Sequence, residues 1–229
     1  MGLLSLTGGC SSTGNGPADV GRKITSSEAT GGVAERLMQE VVQSTPSQCP
    51  MSLFDGSSLD GWKATDFLDA GNVRMENGCM ILEKGWELTG VTWTGVVPRN
   101  NYEITLDAMR VEGEDFFCGL TFPVGVNYCT LIVGGWRGKV VGLSTIDLMD
   151  AAENQTAVLL DFEKGRWYRI RLHVTPDRIR AWIDDSRIID ADTGGRIISV
   201  RHEVERSCPL GIASWKTTAA IRNICLRAI

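Results

Sequence analysis

Two acidic segments and one glycine-flanked Trp-Arg pair hold the residues best suited to chemistry. Glu112, Glu114 and Asp115 fall in VEGEDFF, and Asp147, Asp150, Glu153 and Asn154 fall in STIDLMDAAENQT. Carboxylates at this density can form an acid/base pair, ligate calcium through oxygen, or remain a solvated surface. Trp136 and Arg137 lie in VGGWRGK. Glycines there allow the backbone close to a ligand, an indole face stacks on the C–H face of a pyranose, and the guanidinium offers a fork of donors. The chain has seven tryptophans against three tyrosines. Most are expected to fill a core, and Trp62 in SLFDGSSLDGWKATD is expected to pack as a lid on it.

Several chemistries are excluded. The only histidines are His173 and His202, neither in metal or triad spacing, and there is no nucleophile elbow or phosphate loop. A net charge of −5 without any basic block argues against a nucleic-acid partner. No apolar run approaches the roughly 20 residues of a spanning helix.

The elements that must position these residues are mostly strands. Residues 1–32 are rich in Gly, Ser and Thr without an apolar period, as expected of a disordered leader. Val33, Leu37, Met38, Val41 and Val42 recur at helical spacing, predicting one short helix within a 33–51 linker. From residue 52 to 229 the pattern becomes short β-type runs between turn residues: 79–84, 91–97, 102–111, 116–122, 128–133, 138–143, 167–175, 178–184, 187–190, 209–215 and 219–227. This predicts an all-β, antiparallel jelly-roll sandwich. In WYRIRLHVTPDRIRAWIDD, a turn centred at Pro176 and Asp177 sets Arg171 opposite Trp182, His173 opposite Arg180 and Arg169 opposite Asp184. The Arg171–Trp182 pair is expected on a solvated outer sheet, with a ligand groove as the alternative.

The cysteines lack CxxC or Cys/His spacing, so zinc is not expected. Cys118, Cys129 and Cys225 read as buried thiols, and Cys49 and Cys208, each beside a proline, as the pair for a disulfide. The segment LSLTGGCSS resembles the end of a bacterial lipoprotein signal, which would make Cys10 a lipid anchor and place the protein in the cell envelope or outside the cell.

The LFDGSSLDGWK opening, the WYRIRLHVTPDRIRAWIDD hairpin and the closing GIASWKTTAAIRNICLRAI together resemble the 3-keto-disaccharide hydrolase domain family over about residues 52–229. The resemblance implies a concanavalin A-like jelly roll, a carbohydrate partner, and cleavage of the glycosidic bond of a 3-oxidised disaccharide. In such a reaction Asp115 and Glu153 are the candidate base and acid. Relatives carry a Leu-Gln-Asp-His-Gly type run ahead of the arginine in the RNI strand. Counting back from Arg222, that His falls on Trp215, the Asp on Ser214 and the Gln on Ala213. The departure leaves two alternatives. Either Trp215, Lys216 and Arg222 are the cleft groups of a divergent enzyme, or the domain is a glycan-binding module without turnover.

Overall fold

The computed structural model describes residues 51–229, which form two antiparallel sheets stacked face to face. The predicted helix and leader lie outside these residues. In chain order the strands are β1 (Met51–Ser52), β2 (Trp62–Ala64), β3 (Val73–Glu76), β4 (Cys79–Leu82), β5 (Leu88–Trp93), β6 (Tyr102–Glu112), β7 (Cys118–Val124), β8 (Asn127–Gly134), β9 (Val140–Ser144) and β10 (Val158–Leu159). They continue with β11 (Trp167–Val174), β12 (Arg178–Ile183), β13 (Ser186–Asp192), β14 (Gly211–Trp215) and β15 (Thr218–Ala228). One sheet runs β13-β12-β11-β6-β15-β4-β3 with β1 beside β15, and the other runs β10-β9-β8-β7-β14-β5-β2. The long-range order arises because β6 pairs with both β11 and β15, and β7 with both β8 and β14.

The core sits between the sheets and follows the period of two along each strand. Ile104, Leu106 and Ala108 of β6, Ile170 and Leu172 of β11, and Ile221 of β15 face Leu120 and Phe122 of β7, Leu131 and Val133 of β8, and Leu143 of β9. Trp62 is buried, its indole N–H donates to the Leu53 carbonyl at 2.7 Å, and its ring lies 5.3 Å from that of Trp93. It is a core lid, as expected. The preceding FDGSS stretch is a turn in which the Asp55 carboxylate accepts the backbone N–H groups of Ser57 and Ser58 at 2.7 and 2.9 Å. Those bonds hold its pKa down to about 2.

Every strand predicted from periodicity is present, and the hairpin has the expected register, with Arg171 opposite Trp182 and His173 opposite Arg180. The β1, β2, β3 and β10 strands were not expected. Each is short, and Trp62–Ala64 and Val158–Leu159 contain too few residues for an alternation to show.

The cysteine expectations fail in two places. Cys208 is a free thiol, so the expected Cys49–Cys208 bridge is absent; burial pushes its pKa up to about 11. Cys225 is half-buried and disulfide-bonded, not a buried thiol. In the β1–β15 register Cys225 lies opposite Ser52. Cys118 and Cys129 are buried free thiols pushed up to about 12 by desolvation.

Candidate functional site

The VGGWRGK segment is a tight turn joining β8 to β9, with Trp136 at φ 45° and Arg137 at φ 65°. Two consecutive non-glycine residues in the left-handed region cost roughly 1–2 kcal/mol each, so something must hold them there. That residue is Arg110, at the end of the core-facing row of β6. Its guanidinium is buried and donates to the carbonyls of Gly134 at 3.2 Å, Gly138 at 3.0 Å and Phe162 at 3.3 Å, while stacking over Phe117. A side chain on Gly134 would meet Arg110 at 2.5 Å. Gly134 and Gly138 therefore make room for an arginine beneath the turn, where the sequence suggested room for a ligand above it.

Asp115 stands beside the turn. Its Oδ1 accepts the Phe116 N–H at 2.8 Å and its Oδ2 accepts the Arg137 N–H at 3.4 Å. Its backbone N–H donates to Thr217 Oγ1 at 3.2 Å, which fixes it against the link between β14 and β15. These contacts aim the carboxylate while leaving one oxygen loosely engaged.

A cleft of about 240 Å³ opens next to Asp115 on the outer face of the β7–β8–β9–β14 sheet. Phe116, Ile132, Val204, Trp136 and Trp215 form its apolar walls, Thr130 and Ser144 its floor, and Asp115, Arg201 and Glu203 its charged edge. The floor alternates with the core: Leu131, Val133 and Leu143 point inward, so Thr130, Ile132 and Ser144 point to the cleft. Thr130 shares a hydrogen bond with Thr121 at 2.9 Å. Ser144 is 1% exposed and its hydroxyl has no hydrogen-bond partner in the protein. Arg201 bridges Asp150 and Glu203, and holds the Glu203 carboxyl below its ordinary range.

A second, open groove of about 730 Å³ lies across Asp115 and Trp215 from the cleft. Lys84, Glu112, Glu114, Arg137, Lys164 and Lys216 border it. The Lys216 ammonium lies 5.5 Å from the ring centre of Trp215 and 5.9 Å from that of Trp86, which is 72% exposed.

Of the residues singled out from sequence, Asp115, Trp136 and Trp215 meet at the cleft, and Arg137 and Lys216 border the adjoining groove. Glu153 is exposed in the 150–157 turn, lines neither space, and accepts the Asp150 N–H at 3.4 Å. Arg222 lies on the other sheet, 4.0 Å over Trp167 and bonded to Asp107 at 3.3 Å. Trp182 is covered there in the same way by Arg171 at 4.0 Å. Sequence reasoning missed Arg110, Ser144, Arg201 and Glu203. Arg110 alone left a signal, a charge on the apolar phase of a strand. In the acidic loop, Asp147 binds Arg196 and the Ile197 N–H, and Asp150 binds Arg201. Among the described residues no group of three His, Cys, Asp or Glu gathers to hold a metal ion, and no helix is long and apolar enough to cross a membrane.

Residues 50–227 match the family described as the 3-keto-alpha-glucoside-1,2-lyase-like domain. The chain belongs to that family. In this 3-keto-alpha-glucoside-1,2-lyase-like domain, the position where relatives were expected to carry histidine faces the cleft with Trp215, while the Ser214 hydroxyl turns to the Thr217 carbonyl at 2.8 Å. No curated protein matches the chain. Among solved structures, the carbohydrate binding module CBM66 from Bacillus subtilis aligns with TM-score 0.50 and 14% identity over 73% of this chain and 96% of its own. A structure reported with endo-acting O-glycanases of the human gut microbiota aligns with TM-score 0.50 and 13% identity over 78% of this chain and all (100%) of its own. A sialidase aligns with TM-score 0.51 and 9% identity, over 78% of this chain but 18% of the sialidase. These likenesses show the jelly-roll fold, and the family match makes this a carbohydrate-active domain.

Proposed function

We propose that the domain seats one pyranose ring of a glycan in the cleft and cleaves 3-keto-glycosides there, with Asp115 as the base. The observation that carries this reading is the cleft's composition: indole and phenyl walls, a buried serine hydroxyl without a protein partner, and a positioned carboxylate at the edge. Apolar walls with a few convergent polar groups suit a sugar, whose ring faces are C–H and whose rim is hydroxyl. Membership of the family supports the 3-keto class, and the carbohydrate binding module among the neighbours supports sugar recognition on this fold.

The chemistry needs one well-placed base. A ketone at C3 acidifies the C2 proton, which Asp115 takes as the electron pair forms an enolate on the C3 oxygen. The enolate then collapses to a C1–C2 double bond conjugated to the ketone, the C1–O bond breaks, and the departing oxygen takes a proton from solvent at the open groove. Water adds to C1 and the proton returns to C2, which completes net hydrolysis.

A second reading, glycan binding without turnover, draws on Glu203: its pairing with Arg201 keeps it ionised, so it is a poor proton donor. Incubation with 3-keto-trehalose or 3-keto-sucrose separates the two. Release of free sugar that falls by about 10²-fold or more in Asp115→Asn supports the enzyme; saturable binding with no release, weakened by Trp136→Ala, supports the module. The same reading puts the protein at the cell envelope or outside it, with Cys10 as lipid attachment point, which mass spectrometry of the native N-terminus tests.

A further inference from the structure

Asp115 and Trp215 are walls of both the enclosed cleft and the open groove, so a ligand cut at Asp115 must extend from one into the other. At about 240 Å³ the cleft falls below the roughly 300–1,000 Å³ typical of sites for drug-sized ligands. It takes one ring, and whatever is attached to that ring lies in the groove.

The groove differs from the cleft in its charge. Most lysines and arginines of the described residues pair with a carboxylate. Those that do not are Lys63, Arg99 and Arg169, scattered elsewhere, Arg110, buried beneath the Trp136–Arg137 turn, and Lys84, Arg137 and Lys216, which meet on this one surface. Of the acids on the rim, Glu114 faces Lys164 at 4.0 Å, Glu112 is exposed at the end of β6, and Asp115 takes the Arg137 backbone N–H at 3.4 Å and makes no ion pair with its guanidinium. Lys216 is held between the faces of Trp86 and Trp215, and the strained turn carries Arg137 out beside Asp115. Four cations, Lys84, Arg137, Lys164 and Lys216, therefore face three carboxylates, Glu112, Glu114 and Asp115, and in a chain of net charge −5 a groove with a positive excess whose Lys84, Arg137 and Lys216 make no ion pair is suited to an anion.

We propose that this groove is the subsite for the second sugar, and that it selects a sugar carrying an anionic group, a carboxylate or a sulfate ester. The proposal rests on the cleft being the pyranose site. Arg137 and Lys216 supply charge-assisted hydrogen bonds to the anion, Lys84 adds to the field, and the Trp215 and Trp86 rings support the sugar face.

The test compares binding of 3-keto-trehalose by the full chain with binding of the same disaccharide carrying a 6-sulfate, or a C6 carboxylate, on its unoxidised ring. Titration of tryptophan fluorescence on the Asp115→Asn protein avoids turnover. The anionic forms should bind at least about tenfold more tightly, and the preference should shrink as salt rises from low to physiological strength. An Arg137→Gln/Lys216→Gln double variant should bring the ratio of the two affinities close to one. If sulfate but not carboxylate shows the preference, or the reverse, the proposal stands and the anion is identified. Equal affinity for neutral and anionic forms overturns the groove assignment and leaves the pyranose reading intact, whereas no binding of either form overturns both.

Discussion

The outer faces of the two sheets use the same residue types in opposite ways. On the β11–β12–β6–β15 face the indoles of Trp182 and Trp167 are each covered by a guanidinium, Arg171 and Arg222, at 4.0 Å. Its carboxylates are mostly engaged as well: Asp190 takes Arg178, Arg180 and Arg187, and buried Glu103 takes Arg227 at 2.6 Å through Oε1, while its Oε2 lies 2.9 Å from His173 Nε2 without a hydrogen bond between them. On the β7–β8–β9–β14 face Trp136 and Trp215 wall an open cleft, Trp215 with the Lys216 ammonium 5.5 Å from its ring centre, Ser144 keeps an unanswered hydroxyl, and the Arg137 guanidinium makes no ion pair. Aromatic, basic and acidic residues therefore do not mark a site by their presence. What distinguishes the two faces is that one leaves indoles, a serine hydroxyl and a carboxylate around an open cleft, while the other stacks and pairs the same residue types against one another.

Substitutions on the two faces should separate accordingly. The largest stability effect is expected for Arg110→Met, which strips three carbonyls of a charged donor under the strained turn; chemical denaturation should show a loss of about 2–3 kcal/mol, with glycan binding lost alongside. Arg171→Met on the opposite face should cost only about 0.5–1 kcal/mol, and comparable losses would break the distinction. Next, Trp136→Ala should weaken glycan binding roughly tenfold with little change in stability, while Trp182→Ala should lower stability and leave binding unaltered. Ser144→Ala should reduce affinity about three- to tenfold without destabilising the fold, because it removes a hydroxyl that has no partner to lose; a stability loss above about 1 kcal/mol would show the hydroxyl to be structural.

The smallest effect concerns pH. Burial lowers the pKa of His173 below its ordinary 6.5, opposed by Glu103 and aided by Arg171, Arg227 and Arg180. The unfolded chain then binds more protons than the folded one in the window below 6.5, so stability should fall as pH drops through it. Denaturation midpoints between mildly acidic and neutral pH should slope in the wild type and flatten in His173→Gln. The cleft, which contains no histidine, should keep its binding across the same window.

The fold was legible because burial writes a period of two into each long strand. The β11–β12 hairpin shows this best, since alternation and a Pro-Asp turn fix both its faces and its register. Asp115, Trp136 and Trp215 were legible as residue types, though Trp136 was placed for the wrong reason: its glycines serve Arg110. Ser144 and Glu203 were not legible, because their importance lies in which partners fold next to them. Ser144 shares a cleft with residues from β14 and from the 202–207 turn, separations that no local pattern reports. Arg222 was drawn toward the cleft by its distance from Trp215 in sequence, yet a strand change between β14 and β15 carries it to the opposite sheet.

The buried Arg110 has a consequence for timing. By binding the Gly134, Gly138 and Phe162 carbonyls it holds the tryptophan-bearing turn in place before any sugar arrives. Docking then requires no loop to be ordered, so little conformational entropy is lost on association. In stopped-flow mixing the observed association rate should rise linearly with sugar concentration and show no plateau, the signature of a rim that is set in advance.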